Sequence, residues 1–212
     1  MKVYAEFIEE NGIEYRTKTI LKFGDSWDLI GSIVMKNPGS AYPLNKIDKD
    51  EWECLRVNYN LKDVDETNWF LFKPDSTMWQ IEKIFNGSYL NTQIKLNGII
   101  QVFNLFNIRE QNISTAIKLA DKNESTFLFP YVNEVITLFQ NKPVYLGWRW
   151  VYLNINKQFA EKVFEYVRES KYMYLEKDMI DNHFYHPGYI STAYKQELVQ
   201  KPLKSFFEFF EI

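Results

Sequence analysis

Between Leu29 and Ala41 the chain reads Leu-Ile-Gly-Ser-Ile-Val-Met-Lys-Asn-Pro-Gly-Ser-Ala, an apolar run cut off by a polar turn. The run is short enough for a buried strand. Pro38 fixes its own φ and has no N–H, while Gly39 tolerates a positive φ, so the chain is expected to turn there. A buried parallel strand ending this way belongs in an α/β sheet, where ligands collect at the carboxyl edge. Taken alone, this stretch reads more simply as a plain strand-to-loop turn. The case for a site therefore depends on two later stretches, Val102–Asn107 and His183–Ala193.

Upstream, Val3–Ile8 and Ile13–Phe23 alternate, with Asn11-Gly12 between them, the strongest short hairpin signal. An antiparallel hairpin is expected, added at a sheet edge. Asp50–Tyr59 reads as a short helix and Trp69-Phe70-Leu71-Phe72 as a buried extended piece. A helix starts near Asp75 or Ser76, with Met78, Ile81, Ile84 and Phe85 on its apolar face, and Asn86-Gly87 ends it. A second strand is expected over Ile99–Asn104, a third over Val144–Leu146 and a fourth over Met173-Tyr174-Leu175. Helical spacing marks Asn112–Leu119, Tyr131–Phe139, Gln158–Val167 and Leu203–Phe210.

Helices alternating with short apolar strands indicate a three-layer α/β fold with a mostly parallel central sheet. At 212 residues one domain is expected, with the hairpin over 1–24, the core over 29–193 and a closing helix over 203–210. In that helix Phe206, Phe207, Phe209 and Phe210 cover too much circumference for one buried stripe. They are expected to be buried in the core or in a homodimer contact.

A net charge of −3 gives no global attraction to a polyanion, so a nucleic-acid binder of this composition would need its Lys and Arg gathered on one face. The 17% aromatic content is high, and rings outside the core would offer stacking surfaces for bases. Cys54 is the only cysteine, which leaves no partner for an intrachain disulfide. The N-terminus turns acidic at Glu6, too early for a signal peptide, and no apolar stretch approaches membrane-spanning length. A cytoplasmic protein without a membrane partner is expected.

Three strand ends carry polar groups able to converge: Asn37-Pro38-Gly39-Ser40, Asn104, and His183-Phe184-Tyr185-His186-Pro187-Gly188-Tyr189-Ile190-Ser191. An Asn side chain offers a donor and an acceptor together, enough to read an amide-like edge such as that of a pyrimidine. A loop His can donate to a developing oxyanion. Plainer roles fit as well, Asn104 capping a turn and His186 bracing a loop. His183-x-x-His186, near Glu176, Asp178 and Asp181, has metal-ligand spacing if helical. Pro187 and Gly188 argue for a loop, and the remote Cys54 offers no soft third ligand, so neither a metal nor another cofactor is expected.

In order, Asn37-Pro38-Gly39-Ser40-Ala41, Asp75-Ser76-Thr77, Val102-Phe103-Asn104-Leu105-Phe106 and His186-Pro187-x-Tyr189 resemble the signatures of an uncharacterised bacterial family, the domain of unknown function numbered sixteen-forty-three. The chain departs from that pattern at Gly39, Ser40, Ser76 and Gly188. The same stretches resemble, more distantly, the uracil-DNA glycosylase superfamily, through Met35-Lys36-Asn37-Pro38-Gly39, Asn104 after an apolar strand, and His186–Ala193. That resemblance implies a glycosylase-like fold in which Asn37 positions the attacking water and Asn104 reads the base edge. It further implies that His186 stabilises the departing base and that Ile190 fills the gap left by a flipped nucleotide. Pro38, Gly39, Ser40, Tyr189 and Ser191 would line the same substrate site. The function expected is recognition of a nucleobase, a nucleotide or nucleic acid, with hydrolysis of an N-glycosidic bond as the implied chemistry. The alternative is a non-catalytic binding protein that keeps the pocket. A basic rim at the strand ends would favour the first and an acidic rim the second.

Overall fold

The computed structural model describes residues 1–58, 66–149, 155–169, 179 and 184–210. The strand expected over Met173-Tyr174-Leu175 lies outside the described residues, as do His183, Glu176, Asp178 and Asp181. Among the described residues no group of His, Cys, Asp and Glu is placed to hold a metal ion, and no helix is long and apolar enough to cross a membrane.

Seven strands form one sheet: β1 (Lys2–Glu10), β2 (Ile13–Phe23), β3 (Leu29–Met35), β4 (Pro43–Lys46), β5 (Trp69–Phe72), β6 (Gly98–Asn104) and β7 (Val144–Leu146). Asn11 and Gly12, at φ +54° and +74°, make the tight turn between β1 and β2. The spatial order is β4-β5-β1-β2-β6-β3-β7. Two expectations fail here. The β1–β2 hairpin sits inside the sheet, because β5 pairs with β1 and the unforeseen β4 forms the edge. The sheet is also mixed: only β6, β3 and β7 run parallel, and every other neighbouring pair is antiparallel. Helix–strand alternation in the sequence marks the parallel half well and says little about the antiparallel half, β1, β2, β4 and β5.

Helices cover both faces. On one face α1 (Lys49–Asn58), α4 (Val132–Leu138) and α5 (Lys157–Glu169) lie over Tyr4, Ile20, Ile99 and Phe103, with Phe139 edge-on to Phe103 at 5.8 Å. On the other, α2 (Ser76–Phe85), α6 (Pro187–Ala193) and α7 (Glu197–Glu208) cover Ile33, Ile100 and Tyr145. α2 starts as expected, with Asp75 accepting from Met78 N at 2.9 Å, and ends at Asn86 before Gly87 at φ +74°. α3 (Ile113–Ala120) is likewise capped by Asn112. Gly31 lets α2 approach β3 closely. A Cβ there would lie 2.7 Å from Pro143 O and 2.8 Å from Phe85 Cε1.

The closing helix begins at Glu197 rather than Leu203 and runs through Pro202. Pro202 gives up one backbone bond. Burial of Val199, Leu203, Phe206 and Phe207 offsets that loss. Phe209 and Phe210 pack against the same core, so the Phe-rich surface is taken up by the chain's own interior.

Candidate functional site

β3 and β6 run parallel with Met35 opposite Asn104, so both end at one level. Leu105 N–H is shared between the carbonyls of Met35 and Lys36, at 2.9 and 3.0 Å, and Gly147, just past β7, donates to Val34 O at 2.8 Å. Gly147 lets the start of α6 press against these ends. A Cβ there would lie 3.0 Å from Met35 Sδ and 3.4 Å from Pro187 Cδ. The polar stretches after β3, β6 and β7 therefore share the carboxyl edge with His186.

His186 lies at the start of a helix, not within a loop. It is the N-cap of α6, its Nδ1 accepting from Gly188 N–H at 3.1 Å, with Pro187 in the first turn. A proline whose missing N–H would go unused there, following a capping side chain, starts a helix rather than preventing one. Burial, then the charges of Lys36 and Arg149, lower the His186 pKa to about 4. The imidazole is neutral at pH 7, and with Nδ1 accepting, its proton sits on Nε2. Both charges acting on it are positive. Lys36 is itself pushed below its ordinary value by burial and by Arg149.

Arg149 has a positive φ of 59°, and its guanidinium lies 5.8 Å from the Tyr189 ring centroid. Tyr189 is 38% exposed and stacks on Tyr185 at 5.3 Å with 22° between planes. The rim is thus basic and partly aromatic.

Asn104 is 2% exposed, and its Nδ2 has no hydrogen-bond partner among the described residues. An unpaired buried amide donor costs about 1–3 kcal/mol. Asn37 is committed differently. Its Nδ2 donates to Pro38 O at 2.9 Å and Glu110 O at 2.7 Å, tying the turn to the loop after β6. Ser40 O accepts from Arg109 Nη2 at 2.6 Å, and Pro38 O also accepts from Glu110 N at 3.3 Å. Gly39 keeps a φ outside the left-handed region, so the turn does not use the freedom expected of it. Ser191 Oγ donates to Gly188 O at 2.7 Å. Ile190 is 1% exposed and faces the core, which overturns its expected role as a wedge into a nucleic-acid stack. The exposed neighbour on that turn is Tyr189.

No family model, curated protein or solved structure matches this chain.

Sequence reasoning passed over Lys36 as a functional group and missed Arg149. Gly147-Trp148-Arg149 follows a strand, the one available signal, but the left-handed backbone at Arg149 leaves no trace in composition. A separate cleft of 210 Å³ lies on the α4 face, lined by Lys18, Phe103, Asn107, Phe127, Tyr131 and Leu138 among others. Lys18 is paired there with Glu134 at 3.2 Å.

Proposed function

We propose that the carboxyl edge of β3, β6 and β7 recognises a nucleobase or nucleotide, free or within nucleic acid. We further propose that N-glycosidic bond hydrolysis is the chemistry it performs. The observation that carries this reading is the placement of His186, capping α6 within the field of the Lys36 and Arg149 charges, at the same edge as Asn104, whose Nδ2 has no partner among the described residues. Asn104 would donate to a base carbonyl, Tyr189 would offer a ring face for stacking, and the two cations suit phosphate. The resemblance of these stretches to the uracil-DNA glycosylase superfamily points the same way.

In the reaction the C1′–N bond breaks and its electron pair moves onto the base. Water adds to C1′, and its proton ends on the released base. His186 Nε2–H would face the charge developing on the base. Asn37 Oδ1, which makes no hydrogen bond to a described residue, would orient the water; an amide cannot take its proton. Asn37 cannot take the water's proton and His186 Nδ1 is occupied by Gly188 N–H, which is what favours the second reading, a binding protein without catalysis. Single-turnover release of uracil from labelled single-stranded, matched and mismatched oligonucleotides separates the two. Wild type is expected to release the base, and His186→Ala to do so about a hundredfold to a thousandfold more slowly. No release by wild type would put the binding reading ahead, and equal rates would remove His186 from the chemistry.

A further inference from the structure

Among the buried polar atoms near this edge that have no partner among the described residues are Arg16 Nε and Nη1, Thr19 Oγ1 and Asn104 Nδ2, together with Asn107 Oδ1, whose amide nitrogen bonds Phe127 O. Arg16, Thr19 and Asn104 form a set. Strand register puts all three on one face of the sheet. Thr19 pairs with Ala5 on β1 and Val102 on β6, and Asn104 follows two residues after Val102, on the same side by alternation. Alternation alone would send Arg16, three residues before Thr19, to the opposite face. The pairing shifts between Ala5↔Thr19 and Phe7↔Arg16, two steps on β1 against three on β2, and this bulge returns Arg16 to the Thr19 face. Its guanidinium carbon lies 5.7 Å from the ring centroid of Phe72, which pairs with Val3 on that same side. Arg16 N–H donates to Asn107 O at 2.9 Å, so Arg16 and Thr19 bracket the level of Asn104 on the neighbouring strand.

The charges nearby do not satisfy Arg16. Asp75 is the acidic group acting on it, and the Asp75 carboxylate caps Met78 N–H at 2.9 Å without bonding the guanidinium. Arg109 is held by Glu14 and by the Ser40 and Ala41 carbonyls. Arg16 itself is 4% exposed. A buried cation kept from a direct partner is costly, and packing gives no reason to retain it when an apolar side chain of similar volume would serve. The orphaned nitrogens are all donors, and Thr19 adds a hydroxyl that can donate or accept.

We propose that Arg16, Thr19 and Asn104 form an inner subsite for a planar, acceptor-rich anion: a carboxylate or the deprotonated edge of an oxo-substituted ring. The guanidinium supplies charge-assisted hydrogen bonds, and the amide and hydroxyl complete the set. The inference rests on the base-recognition reading only through Asn104. Release of uracil without anion binding would overturn this inference and leave that reading standing; anion binding without release would do the reverse for catalysis.

Calorimetric titration at pH 7.5 with benzoate and, separately, urate distinguishes the two sources of the anion. At least one is expected to bind wild type, and Arg16→Met is expected to bind it at least tenfold more weakly, consistent with loss of hydrogen bonds to a charged group. Arg16→Met should melt at or above the wild-type temperature, because an unpaired buried charge has been removed. A lower melting temperature with unchanged anion affinity would mark Arg16 as structural and overturn the proposal. Absence of binding by wild type to both anions would also overturn it. Should Arg16→Met not fold, Thr19→Val removes only the hydroxyl: a threefold or larger weakening supports the subsite, and equal affinity contradicts it.

Discussion

Gln101 and Asn104 lie three residues apart on β6, each 2% exposed, and their surroundings treat them in opposite ways. Gln101 points to the α4 side, where its Oε1 accepts from Ser32 Oγ on β3 at 3.2 Å. Asn104 points to the other side, at the last residue of the strand, and keeps its Nδ2 unpartnered. Mid-strand, the register Ser32↔Gln101 closes a buried polar pair from within the sheet. At the strand end, register pairs Asn104 with Met35, whose thioether is at best a weak acceptor. Closed polarity in the middle of a sheet holds the structure together. Open polarity at its carboxyl edge is available to a ligand.

The comparison breaks if the mid-strand region tolerates change as well as the edge does. Gly31→Ala is expected to show the largest effect, because the new Cβ would meet the backbone carbonyl of Pro143 at 2.7 Å. Overpacking of that kind should cost about 3 kcal/mol in urea unfolding. The edge should instead reveal itself through pH. His186 has its pKa lowered to about 4 in the folded chain, so the unfolded chain binds the proton more readily. Its contribution to stability is present above about pH 6.5 and lost as pH falls towards 4, a change of about 3 kcal/mol at most. His186→Asn keeps an acceptor for the cap and should flatten that slope in acid unfolding curves.

Smaller effects sharpen the contrast. Ser32→Ala leaves Gln101 Oε1 buried without this partner and should cost about 1–2 kcal/mol. Asn104→Leu, at equal burial, removes an amide with an unpartnered donor, and its unfolding midpoint should stay within about 0.5 kcal/mol of wild type or rise. If Asn104→Leu proves as costly as Ser32→Ala, the distinction between closed and open polarity fails.

Much of this was legible in the sequence. Asn11-Gly12 announced its hairpin, the Leu29–Met35 run announced β3, and Asp75 and Asn112 announced their helices, because each depends on chemistry local to a few residues. The position of the hairpin was not legible, since what pairs with β1 is decided by β5, some sixty residues away. The same limit hid Arg16, whose face depends on a bulge created by pairing, and Arg149, whose backbone conformation depends on the N–H it gives to Phe184 O at 2.9 Å. Sequence pattern placed Asn37, Asn104 and His186 at strand ends but could not show that Asn37 is spent on holding its turn. Nor could it show that Ile190, on a helix mistaken for a loop, would point inward.

The most direct measurement is calorimetric titration of the nucleoside monophosphates into wild type and Asn104→Leu at pH 7.5. Wild type is expected to bind at least one of them, and Asn104→Leu, folded with an unchanged or higher unfolding midpoint, to bind it at least tenfold more weakly. No binding by wild type, or equal affinity in the two proteins, would contradict the claim that this strand end recognises a base.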